Sequence, residues 1–141
     1  MRYLDMKIKH QERIDALPIQ FAFSNEQFEE GMRELGLSPT DTDKICKIPY
    51  GGFIRKTDSE LVLNTFKETN AEMKAALDSD DEFLIDAMVY ELSNYEYGYT
   101  MDDFDTKAAL RDMGLSFTNE RTKRLFKVAK QKYIDSLGGE K

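Results

Sequence analysis

Three stretches of this chain repeat apolar residues at helical spacing, and each opens on a residue able to cap a helix. That combination commits most of the chain to helices packed by one face. "SNEQFEEGMRELG" (24–36) begins with a capping box, Ser24 to Gln27, and carries Phe28, Met32 and Leu35 on one side. It stops at Gly36, because glycine enters the left-handed region at little cost. "TDSELVLNTFKETNAEMKAAL" (57–77) has Thr57 and Glu60 as its box and aligns Val62, Phe66, Met73 and Leu77. "SDDEFLIDAMVYELSNYEY" (79–97) opens on Ser79 and Glu82 and sets Phe83, Ala87, Met88, Leu92 and Tyr95 in a stripe. Its first-turn acids suit the helix dipole.

Two more helices are expected, over 100–113 with a stop at Gly114, and from Thr118 to about Ser136 ahead of a glycine pair. Residues 4–16 read as another, although "YLDMKIK" also alternates as a strand would. Outside the helices, residues 44–48 and 53–56 are β-prone and joined by Tyr50, Gly51 and Gly52, a hairpin pattern, with Pro49 restricting the first run to an edge or a strand end. The expected fold is α+β and mainly helical: about six helices around one core, with a small two- or three-stranded antiparallel sheet. A length of 141 residues fits a single domain, 1–141, in which 118–141 is a basic C-terminal helix with a short tail.

"MRELGLSPTD" (32–41) is echoed by "LRDMGLSFTN" (110–119). Each reads as a helix stopped at glycine, a leucine folded back on the last turn, and a new N-cap. The same pattern resembles the turn of a helix-turn-helix reader. Asp41 and Asp43 after the first copy would repel phosphates, whereas the second copy leads into a basic helix.

Charge limits the partners. The net charge is −7, yet residues 118–141 carry +4, leaving −11 on the rest. Residues 75–106 hold ten acids and no base. Such a surface steers toward cationic partners and argues against direct nucleic-acid binding on that side. The single cysteine, Cys46, excludes an internal disulfide and a cysteine-rich zinc cage, and reads as a small half-buried apolar residue. No apolar run approaches the ~20 residues of a membrane span, and "MRYLDMKIKHQER" has charges where a signal peptide needs its apolar region. The expectation is a cytoplasmic protein that does not engage membranes.

Chemistry has few footholds. "DSDDEF" fails as a calcium loop, because its sixth position is Phe83 and its twelfth Val89. No second motif completes a metal site around Asp102, Asp103 and Asp105, and no cofactor motif is present. "YGGFIRKTD" has paired glycines ahead of Arg55 and Lys56 but lacks phosphate-loop spacing. Glu91 and Glu96 could do acid/base work, but no nucleophile or oxyanion donor accompanies them, and the one histidine is His10. A metal enzyme or small hydrolase thus has little support. What remains is an acidic, tyrosine-containing binding surface: Asp80, Asp81, Glu91, Tyr95, Glu96, Tyr97, Tyr99, Asp102, Asp103 and Asp105. An ordinary solvated face with inward tyrosines is the plainer alternative.

"ALPIQFAFSNEQFEEGMRELGLSPTDTDKI", "GGFIRKTD" and "YELSNYEYGYT", in that order from about Ala16 to Leu115, resemble a family of small acidic proteins of phages, plasmids and conjugative elements of gut bacteria. This chain has Tyr95 where that family has histidine, and it is unusually basic after Gly114. The resemblance implies a mobile-element setting and no particular reaction. By analogy with anti-restriction and anti-CRISPR proteins, the expected function is non-enzymatic inhibition of a host protein with a basic nucleic-acid-binding groove, such as a CRISPR effector or restriction enzyme. The alternative is a nucleic-acid accessory or regulatory protein using helix 118–136 through Arg121, Lys123, Arg124, Lys127 and Lys130. A homodimer stays open in either case.

Overall fold

The computed structural model describes residues 2–138, with the backbone alone at Tyr99 and Thr100. Its helices are α1 (Tyr3–Asp15), α2 (Asn25–Glu34), α3 (Ser59–Ser79), α4 (Asp81–Asn94), a single turn α5 (Tyr97–Thr100), α6 (Phe104–Asp112) and α7 (Glu120–Gly138). Strands β1 (Gln20–Phe21), β2 (Ile45–Ile48) and β3 (Gly52–Arg55) make an antiparallel sheet in the order β1-β3-β2. The fold is therefore mainly helical α+β. Two compact units divide it, Met1–Lys9 with Asn70–Lys141, and His10–Thr69. Where one core is anticipated from the sequence, the buried apolar side chains gather in two clusters, one in each unit.

In the His10–Thr69 unit, Gln27 donates its backbone N–H to Ser24 Oγ at 3.2 Å, and its side chain accepts from the Phe23 N–H at 2.7 Å. The box thus closes around the residue before the cap. Met32, Leu35, Ile45 and Phe53 form the core under α2 and the sheet. Tyr50 and Gly51 take positive φ in the hairpin loop, which lets Gly52 pair with Ile48. β3 accordingly starts one residue earlier than the sequence suggests. Cys46 is half-buried, 3.7 Å from Ser59 Oγ. Helix α3 starts at Ser59 out of a 3-10 turn over Lys56–Asp58 rather than from a Thr57 cap. Arg55 Nε, 2.7 Å from Asp58 Oδ2, braces that turn.

The other unit is built on α4, which packs against α5, α6 and α7. Phe83, Leu84, Ile85, Ala87, Met88 and Leu92 are all buried, so this helix is covered on nearly every side. Its cap is Asp80, accepting from the Phe83 N–H at 3.1 Å, and not Ser79, which stays in α3 and donates to the Ala75 carbonyl.

Both copies of the echo close with the same hydrogen bonds. Gly36 and Gly114 take positive φ; Leu37 N–H reaches the Met32 carbonyl and Leu115 N–H the Leu110 carbonyl. Each is a Schellman stop. Ser38 with Thr40, and Ser116 with Thr118, then repeat a hydroxyl pair. The copies part afterwards: Asp41 leads into a 3-10 turn over Thr42–Lys44, whereas Asn119 accepts from the Thr122 N–H and starts α7. No recognition helix follows the first copy.

Candidate functional site

The acidic strip does not form one face, because α4 is the central helix of its unit. Asp80 is exposed at the cap. Asp81 is exposed but ion-paired to the basic helix, with Arg121 Nε at 2.7 Å and an Arg124 nitrogen at 4.0 Å. Asp86 accepts from the Tyr3 N–H at 2.9 Å and faces Arg2 at 3.3 Å, so it closes the start of α1. Glu91 is 5% exposed and accepts from the Tyr3 hydroxyl at 3.1 Å. Tyr97, 7% exposed, packs its ring 6.2 Å from that of Tyr133. Asp103 is held by Lys130 at 2.5 Å and Lys107 at 3.6 Å. Burial opposes its ionisation, but the two ammonium groups prevail and hold its carboxyl below the usual range. The expectation of one acidic binding surface along the strip is corrected on two counts: Glu91 and Tyr97 are interior, and two of the acids are ion-paired, Asp81 to α7 and Asp103 to both α6 and α7. The Tyr99 side chain lies outside the described residues.

Besides Asp80 and Asp81 at the start of α4, the described side chains of the strip that stay in solvent lie between positions 95 and 105. Tyr95 (40%), Met101 (59%) and Phe104 (69%) are exposed beside Glu96, Asp102 and Asp105. The segment bends twice: Glu96 and Met101 both have φ 55° and bracket the single turn of α5. A left-handed residue other than glycine costs about 1–2 kcal/mol. Asp102 accepts from the Phe104 N–H at 2.9 Å and helps set the start of α6. Met101 and Phe104 are absent from the sequence-based candidates. A helical wheel through Thr106 and Leu110, the buried positions of α6, would have placed Phe104 on the opposite side.

The cations of α7 are distributed differently from the sequence expectation. Arg121 and Arg124 serve Asp81, Lys130 serves Asp103, and Lys123 lies 3.8 Å from Glu120. Lys123, Arg124 and Lys127 remain exposed. Lys107 comes alongside from α6, its ammonium 5.5 Å from the Phe117 ring centre and 5.9 Å from that of Phe126. The result is an open groove of about 600 Å³ with a basic rim and aromatic floor. Among the described residues, no three His, Cys, Asp or Glu side chains gather in a metal-holding group, and no helix is long and apolar enough to cross a membrane.

Residues 2–135 match a family described as "Family of unknown function (DUF7659)". No curated protein and no solved structure matches the chain.

Proposed function

We propose that this chain, which belongs to the DUF7659 family of unknown function, is a non-enzymatic binding protein that docks by residues 95–105 on a basic surface of a nucleic-acid-handling protein and blocks it. The observation that supports this reading is the alternation of Tyr95, Met101 and Phe104 with Glu96, Asp102 and Asp105, all of them exposed. Apolar side chains held in water gain from entering a partner's pockets, and the carboxylates select a cationic rim around those pockets. Left-handed Glu96 and Met101 hold the segment in a shape that local preference alone would not choose. The reading keeps the inhibitor idea and its mobile-element setting in the cytoplasm, but moves the docking surface from the whole strip to its end.

The test compares wild-type protein with Glu96→Lys/Phe104→Ser/Asp105→Lys, both immobilised and exposed to bacterial lysate. Circular dichroism first establishes that the variant is folded. A nucleic-acid-handling protein retained by the wild type, released by salt, inhibited in its own assay and lost from the variant is the expected outcome. Equal retention of the same proteins by both would sink the proposal.

A further inference from the structure

The groove between α6 and α7 is a concave, cationic feature of an acidic chain. Lys123, Lys127 and Lys130 recur at helical spacing along α7, so they line one side over roughly 10 Å of helix. Lys107 stands across from them, and Phe117, half-buried, lies at the floor. Glu120 is the acid on the rim, and Asp103 pairs with both Lys107 and Lys130. Phe117 meets Phe126 edge to face at 5.0 Å, which fixes the angle of its ring.

We propose that this groove binds single-stranded nucleic acid, with the lysines along the phosphodiester backbone and a base against Phe117. A row of ammonium groups beside a ring is the combination that single strands require: charge tracks the backbone, and an aromatic face accepts any base. The net charge of −7 does not forbid it. At about 0.1 M salt, charges beyond roughly 10 Å are largely screened, so a strand in the groove responds mainly to the rim. An acidic peptide would satisfy the lysines but has no comparable use for the ring. The proposal is independent of the docking segment, and either can fail alone.

Fluorescence anisotropy tests it, using the whole chain and a labelled oligothymidine of about 15 nucleotides. The wild type is expected to bind at about 50 mM salt and to weaken steeply by about 200 mM. Lys123→Glu/Lys127→Glu, at exposed positions that do not hold the fold, should bind at least roughly tenfold more weakly, with a shallower salt dependence. Phe117→Leu should lose roughly tenfold while leaving the salt slope unchanged, which a general loss of charge or of fold would not do. Absence of wild-type binding at low salt, unchanged binding by the lysine variant, or polyglutamate competing as well as unlabelled oligothymidine would each overturn the assignment. The last of these would make the groove a site for an acidic protein segment.

Discussion

The hydroxyl of Tyr3 donates to the Glu91 carboxylate at 3.1 Å, joining the first turn of α1 to the buried side of α4 across 88 positions of sequence. Both residues are buried, and Met113 Sδ, 3.6 Å from the same hydroxyl, is a second acceptor. Burial, followed by the charge of Glu91, holds the phenol well above its ordinary titration range. The pair explains how an acid can sit inside this unit.

Tyr3→Phe should lower stability at neutral pH by about 1–3 kcal/mol, because the carboxylate loses its donor without regaining water. The pH dependence has a definite sign. Above about pH 10 the unfolded chain releases the phenolic proton while the folded chain keeps it, so wild-type stability falls as pH rises. Below that pH the contribution is complete. Urea unfolding at pH 7 and in alkali should show the variant less stable at first and flatter afterwards; parallel alkaline limbs would contradict the hydrogen bond.

Glu91→Lys and Glu96→Lys make the same charge change and should behave in opposite ways. The first leaves an ammonium among apolar side chains, at a cost of about 3–5 kcal/mol. The second changes an exposed position and should stay within about 0.5 kcal/mol. Thermal melts decide, and equal melting temperatures would return Glu91 to the surface.

Asp103→Asn removes the shared counter-ion of Lys107 and Lys130. The native carboxyl is held below its ordinary value, so its contribution is present above about pH 4 and disappears as the pH falls through the folded value. The variant should melt lower than the wild type at pH 7, with the gap closing in acid. A gap independent of pH would mean that packing, and not charge, was lost.

Gly31→Ala sets two effects of known size against each other. In an exposed helix the change gains about 1 kcal/mol of propensity. Here a Cβ would lie 2.6 Å from Phe53 Cζ and 3.1 Å from Gln20 Cβ, and the Phe53 ring is itself buried in the core. Overpacking costs about 1–3 kcal/mol, so the net should be destabilising. Pairing it with Phe53→Leu should recover part of the loss, and a more stable single variant would show that the ring can move aside.

Stops and starts were the legible part of this chain. Ser24 with Gln27, the glycines at 36 and 114, and the turn at Tyr50 and Gly51 act on backbone groups a few residues away, and each appears where the sequence places it. The caps at Thr57 and Ser79 were missed for a local reason. A 3-10 turn took up the first, and Asp80, one residue on, competed successfully for the second. The candidate site was legible only in part. Tyr95, Glu96, Asp102 and Asp105 are exposed, but Glu91 and Tyr97 carry the same residue types inside; Glu91 follows Ala87 by four residues and Met88 by three, so the helical period placed it on the buried stripe, whereas nothing local marked Tyr97.

The amino-acid order alone placed most of the helical segments, the glycine stops and a small antiparallel sheet, since apolar period and capping chemistry work within a few residues; the end of α4 at Asn94 and the break over 101–103 ahead of α6 were not in it. Which side of α4 meets water was decided by α5, α6 and α7 closing around it. Ion pairs such as Asp81 with Arg121 and Asp103 with Lys130, and the meeting of Lys107 with the cations of α7, arise the same way. They join side chains remote in sequence, so each acid's neutralisation depends on a distance that exists only in the folded chain.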